Sequence, residues 1–286
     1  MDTNYPRRRR PNRAPERGAA TEAGRLDDLA PRILVAVPAA VAAVLIVLQG
    51  GLVLALALAL LAAGAALELY RLTGTTARVG LAGVAAAAAL PPAALYGGVP
   101  AMMAVFLAAV PAALALARAG EPDAARSIAF TLLGVAWVGL GLAHGVLLRD
   151  LPDGDLLVVG VLAGTFLGDT AAHLVGAAVG RRQIAPRLSP RKTLEGLLAG
   201  IVVGTVALWL FMTLSDAPLE GGEAVLVGLA VAVAAPAGDL FESLFKRDAG
   251  VKDTGRTFGP HGGILDRIDA VAFTVVAGYY VALAFV

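Results

Sequence analysis

Two short stretches of this chain concentrate the side chains that could do chemistry. The first, Gly168 to Gly196, reads GDTAAHLVGAAVGRRQIAPRLSPRKTLEG. Asp169 and His173 stand four residues apart and therefore share one helical face. Arg181, Arg182, Arg187, Arg191 and Lys192 follow, interleaved with Ser189, Thr193 and Glu195. Arginine offers a bidentate fork to phosphate oxygens and lysine a compact charge, so this mixture suits a phosphate-rich ligand. A basic loop that only sets membrane orientation is the alternative.

The second stretch, Gly238 to Asp269, reads GDLFESLFKRDAGVKDTGRTFGPHGGILDRID. Asp239, Glu242, Ser243 and Lys246 fall at i, i+3, i+4 and i+7, along one face of a helix. Arg247, Lys252, Asp253, Arg256 and His261-Gly262-Gly263 come next. Paired glycines let the backbone approach a ligand closely and adopt positive φ. Asp266 and Asp269 are three apart at a helix start, where negative charge is tolerated. Carboxylates gathered in this way repel one another unless positive charge lies between them. Mg²⁺ takes hard oxygen ligands, usually one or two carboxylates plus substrate phosphates. Asp239, Asp266 and Asp269 are therefore the expected metal ligands, with a second cation left open. Salt bridges at the depth of lipid headgroups are the alternative.

The elements that must position these residues are membrane helices. Of the 286 residues, 58% are hydrophobic and 16% charged, and the mean hydropathy is +0.77. A soluble domain carries about 25% charged residues. The chain lacks cysteine, which excludes disulfides, zinc–thiolate sites and Cys nucleophiles. A bilayer needs roughly 20 apolar residues per helix. Nine spans are predicted near Ile33–Leu48, Leu52–Leu69, Val79–Tyr96, Met102–Ala117, Ser127–Leu148, Leu156–Val179, Leu197–Leu214, Ala224–Leu244 and Ala270–Val286. The expected fold is all-α, a polytopic membrane helix bundle. With the N-terminus in the cytoplasm, 22 of the 23 Lys and Arg residues fall on that side and Arg149 alone falls opposite. Positive residues are retained in the cytoplasm, so the arrangement is N-in.

Residues 1–30 read as a disordered basic cytoplasmic arm, residues 31–155 as N-terminal transmembrane helices, and residues 156–286 as the C-terminal catalytic region. Arg7–Arg10 read as a topogenic anchor rather than a signal peptide, and without interleaved aromatics they give no case for nucleic acid. Gly168-Asp169 and Gly238-Asp239 form a weak internal echo, each near the inner end of a span and each leading into a basic loop.

The run Ser243-Leu-Phe-Lys246-Arg247, Lys252-Asp253, Gly255, Phe258-Gly259 and His261-Gly-Gly-Ile-Leu-Asp266-Arg267-Ile-Asp269 resembles the signature of the phosphatidate cytidylyltransferase (CDP-diacylglycerol synthase) family. Ser189-Pro-Arg191-Lys192-Thr193-Leu-Glu195-Gly196 and Asp169-Thr170-x-Ala172 resemble two further blocks of it. The family commonly has Tyr where His173 stands, so no role carries over there. It also often has Pro-Gly before His-Gly-Gly, where this chain reads Gly259-Pro260.

The resemblance implies that CTP and phosphatidate give CDP-diacylglycerol and pyrophosphate, in phospholipid biosynthesis at the cytoplasmic face of the cell membrane. It implies catalytic roles for Asp239, Lys246, Asp266 and Asp269, the three aspartates holding Mg²⁺. Arg191, Lys192, Lys246, Arg247, Lys252 and Arg267 would bind substrate phosphates, and Ser189, Thr193 and Ser243 would donate hydrogen bonds or contact the metal. His261 would bind phosphate, orient an Asp ligand or only shape the turn. The partners implied are CTP, phosphatidic acid and membrane lipid, not nucleic acid; the Gly- and Ala-rich spans leave a homodimer open. The rival readings are a CTP-dependent polyprenol kinase, an ether-lipid cytidylyltransferase, a cation transporter and a binding or structural membrane protein with a degenerate site, the last opposed by the intact signature. Transporter sites favour the bilayer midplane, whereas these charges gather at one face.

Overall fold

The computed structural model describes residues 38–118, 123–215, 217, 219–255, 257 and 262–286. The basic arm lies outside the described residues, as does His261. Val44 onward forms one compact unit, which contains the site described below; residues 38–43 belong to a separate unit.

Helix α1 (Pro38–Gln49) and α2 (Gly51–Leu72) meet at Gly50 and Gly51, whose φ values of 62° and 50° make the tight turn that the glycine pair predicts. Helix α3 (Ala77–Leu116) is interrupted at Gly98, with φ 59° and ψ −151°, and Pro100 begins its second half. The predicted spans Val79–Tyr96 and Met102–Ala117 thus fall in the two helical halves on either side of Gly98. Helix α4 (Ala124–Gly134) continues through a π-helical segment, Val135–Leu140, into α5 (Gly141–Arg149). Then follow α6 (Gly154–Val179), strands β1 (Gln183–Ala185) and β2 (Ser189–Thr193), α7 (Leu194–Leu214), α8 (Gly221–Asp248) and α9 (Leu265–Ala282).

Six of these segments are long and apolar enough to cross a membrane: α2, α3, the α4–α5 rod, α6, α7 and α8, with mean hydropathies from 1.5 to 2.4. The protein is therefore a nearly all-α, multi-pass helical bundle. The hairpin corrects the purely helical expectation. Pro186 and Pro190 keep this stretch from continuing as helix, and it closes as an antiparallel pair with Gln183 opposite Thr193 and Ala185 opposite Ser189.

The α4–α5 rod is central, 78% buried over its most apolar stretch against 17% for α3. Leucines such as Leu60 and Leu214, each 75% exposed, face outward, as a lipid solvent permits. Trp137, within the π-helical segment, lies edge-on to Phe241 at 4.8 Å and stacks on Phe245 at 5.8 Å, which sets the rotation of α8. Arg149 donates from Nε to the Val47 carbonyl at 2.8 Å and from a terminal nitrogen to Leu48 at 3.3 Å. The one basic residue assigned to the far side thus caps the last carbonyls of α1.

The tightest helix pair is α6 against α7. A methyl placed on Gly168 would come 3.0 Å from the Gly200 carbonyl oxygen, and one on Gly200 would come 2.9 Å from that of Gly168. Small residues at such a crossing let membrane helices pack backbone to backbone. A second close approach joins α8 to α9, where a methyl on Gly238 would meet the Ala270 Cα at 3.0 Å. These two contacts bring Asp169, the hairpin, Asp239 and the start of α9 to one place.

Candidate active site

The hairpin and α8 meet through an ion pair: Lys192 Nζ lies 2.5 Å from Asp239 Oδ2. Lys192 is the penultimate residue of β2; Thr193 ends the strand and caps the start of α7, its Oγ1 accepting from the Gly196 N–H at 3.2 Å. Glu195 Oε2 accepts from the Arg181 and Arg182 backbone N–H groups at 3.0 and 3.2 Å, fixing the base of the hairpin. At its tip, Arg247 Nε donates to the Leu188 carbonyl at 3.0 Å. A loop expected to bind ligand is therefore tied down at both ends.

A cavity of about 340 Å³ opens between α6, α7, α8 and the hairpin. Asp169, His173, Ser189, Arg191, Lys192, Thr193 and Asp239 line its polar part, and Leu197, Ile201, Ala232 and Ala235 its apolar part. Charge meets hydrocarbon within one volume, the form a site needs if it takes a headgroup together with the start of its tail.

The predicted face of α8 forms as expected. Ser243 Oγ donates to Asp239 Oδ1 at 3.4 Å. Lys246 pairs with Glu242 one turn back and reaches Asp266 Oδ1 of α9 at 2.7 Å. Glu242 is 1% exposed and its Oε1 has no hydrogen-bond partner among the described residues. Asp266 also accepts from the Gly263 N–H at 2.6 Å and the Thr254 N–H at 3.1 Å. Burial works against its ionisation, but the Lys246 ammonium and the Gly263 N–H hold it below the usual carboxylate range. Asp269, one turn on and just ahead of the apolar run from Ala270, is pushed up by burial and then by the charge of Asp239.

The predicted residues thus fall into two adjoining groups, Ser189, Arg191, Lys192, Thr193 and Asp239 around the cavity, and Ser243, Lys246, Asp266 and Asp269 beside it. Arg267 follows Asp266 in the exposed surface of α9, and Lys252 is exposed just beyond α8 and does not line the cavity. His261 lies outside the described residues. Among the described residues, no three acidic or imidazole side chains converge on one point as ligands. The proposed donors Asp239, Asp266 and Asp269 are nonetheless all hard oxygen, chemistry that fits a small divalent cation, and beside them Glu242 Oε1 is buried without a partner among the described residues.

Sequence reasoning missed Glu68. It lies near the end of α2, 5% exposed, and accepts hydrogen bonds from the Thr257 Oγ1 at 2.6 Å, the Leu265 N–H at 2.9 Å and the Thr254 Oγ1 at 3.3 Å. The available signal was a lone carboxylate in a strongly apolar helix.

A multi-pass helical bundle with a charged, phosphate-suited cleft at one end of its helices is the class of protein that this fold and site define. Residues 30–285 match the model of the cytidylyltransferase family, and the chain belongs to that family. It is 41% identical over 144 residues to the uncharacterized protein YnbB of Escherichia coli, covering 49% of this chain and 48% of that one. It is 35% identical over 147 residues to a phosphatidate cytidylyltransferase of Staphylococcus haemolyticus, covering 51% and 56%. It is 31% identical over 159 residues to a phosphatidate cytidylyltransferase of Bacillus subtilis, covering 55% and 59%. The chain spans about half the length of the curated relatives it matches.

Proposed function

We propose that this chain is a phosphatidate cytidylyltransferase, joining CTP to phosphatidate at the cytoplasmic face of the cell membrane. Family membership and the activity named for its relatives support the reading. The single observation that carries it is the Lys192–Asp239 pair, which unites two blocks distant in sequence at the mouth of a half-polar, half-apolar cavity.

In this reading an oxygen of the phosphatidate phosphate attacks the α-phosphorus of CTP. The new P–O bond forms as the bond from the α-phosphorus to the α,β-bridging oxygen breaks, and the electron pair leaves with pyrophosphate. The attacking phosphate is already anionic, so no strong general base is needed. The work is positioning and charge neutralisation. Lys192, Arg191, Ser189 and Thr193 hold phosphate at the polar part of the cavity, and the lipid glycerol and first methylenes lie along Leu197, Ile201 and Ala232. Lys246, clamped by Glu242 and Asp266, offers a fixed positive charge to the leaving pyrophosphate. Asp239, Asp266 and Asp269 would hold Mg²⁺, which when bound neutralises phosphate oxygens and leaving-group charge.

The nine-crossing, N-in arrangement belongs to the same reading. The two halves of α3, with α1 and α9 counted as crossings, extend the six long helices to nine. Lys and Arg retention then puts the hairpin and the α8–α9 loop on the cytoplasmic side, where CTP is. The glycine-rich faces of α6 and α7 pack on each other within one chain, so the site as read needs no second copy.

The test is pyrophosphate release by purified protein in mixed micelles. The reading expects release that requires CTP, phosphatidate and Mg²⁺ together and is lost in Asp266→Asn. Release without phosphatidate, or release unaffected by Asp266→Asn, would refute it.

A further inference from the structure

We propose that Glu68 is a positioning residue of this site: it holds the segment that delivers backbone N–H groups to Asp266 and, through Asp266, seats Lys246. The inference rests on the transferase reading above.

A carboxylate 5% exposed in a helix of mean hydropathy 2.4 is costly unless its oxygens are satisfied. Here the donors all come from one segment far along the chain: the Thr254 and Thr257 hydroxyls and the Leu265 N–H. Two described glycines of that segment pack directly on the carboxylate. A methyl on Gly255 would come 2.5 Å from Glu68 Oε1, and one on Gly263 would collide with Oε2. Glycine at both positions is what lets the backbone close on Glu68. The same segment supplies the Thr254 and Gly263 N–H groups that Asp266 accepts at 3.1 and 2.6 Å. Asp266 in turn receives Lys246 at 2.7 Å. Glu68 itself does not line the cavity. It acts at one remove, through a chain of contacts that runs from α2 to the reacting groups.

The experiment compares wild type with Glu68→Gln, which keeps the side-chain shape while replacing one acceptor oxygen by a donor. Amide hydrogen exchange is measured on full-length protein in detergent, free of nucleotide and metal. Exchange at Thr254 and Leu265 should rise by about tenfold, the scale of a lost charge-assisted hydrogen bond, with α6 unchanged. In the transfer assay kcat should fall by about tenfold or more while KM for CTP stays within about twofold. Unchanged exchange at these amides overturns the proposal. So does exchange that rises equally in α6, which would mark general loosening, or faster local exchange with full kcat. If wild type transfers nothing, the transferase reading fails, and the exchange arm alone still decides whether Glu68 holds the segment. Should Glu68→Gln fail to fold, Thr257→Val deletes the shortest of the three bonds and keeps the carboxylate. It is held to the same outcomes at about threefold.

Discussion

Lys192 Nζ and Asp239 Oδ2 lie 2.5 Å apart, joining the second strand of the β-hairpin to the first residue of α8's polar face. Both side chains line the same cavity, so the pair is partly open to solvent and available to ligand. In the proposed role the Lys192 charge both balances Asp239 and meets a phosphate, which a neutral group does not do. Lys192→Gln is expected to lower transfer by at least about a hundredfold, as loss of one positioned charge does elsewhere. Thermal unfolding should change little, because an ion pair this exposed contributes little to stability. A steady-state assay beside a melting curve checks both halves.

Lys246 is bound on one side by buried Glu242 and on the other by Asp266. Lys246→Met leaves an uncompensated carboxylate inside the protein and should destabilise it by about 3–5 kcal/mol. Adding Glu242→Gln removes that charge and should recover most of the loss, without recovering transfer. Chemical unfolding of the two variants in detergent, read against the wild type, measures the difference.

The α6–α7 crossing has no room for side chains at Gly168 and Gly200, where added methyls would lie 3.0 and 2.9 Å from backbone oxygens. Gly200→Val should cost about 1–3 kcal/mol by overpacking and displace the hairpin from α8. Denaturation midpoints and transfer rates should fall together.

Arg149 caps α1 from the opposite end of the bundle, through the Val47 and Leu48 carbonyls. Arg149→Gln should lower stability by about 1 kcal/mol and leave transfer within about twofold, since no group of the site is near it. A large loss of activity at full stability would contradict the placement of the site.

How much of this was legible beforehand depends on the kind of pattern. The α8 face was readable because Asp239, Glu242, Ser243 and Lys246 repeat at helical spacing, and the structure keeps them together. The long apolar helices were readable because lipid demands continuous hydrophobicity. The hairpin was not: its strands are three and five residues long and mostly polar, too short for alternation to stand out. The break at Gly98 was visible only as a gap between two spans, because apolar periodicity does not report φ. Glu68 was hidden by distance, its partners lying 186 to 197 residues further on. No local rule connects an isolated glutamate in α2 to Gly255 and Gly263.

In the proposed reaction a cytidylyl group, not a terminal phosphate, passes from CTP to phosphatidate. The direct test supplies CTP radiolabelled at either the α- or the γ-phosphate to purified protein with phosphatidate and Mg²⁺, and counts label in the extracted lipid. α-Label is expected to enter the lipid and γ-label to leave entirely as pyrophosphate, with Asp266→Asn abolishing both. Label from the γ-phosphate in the lipid would make the protein a kinase, and no lipid label from folded wild type would remove phosphatidate as its acceptor.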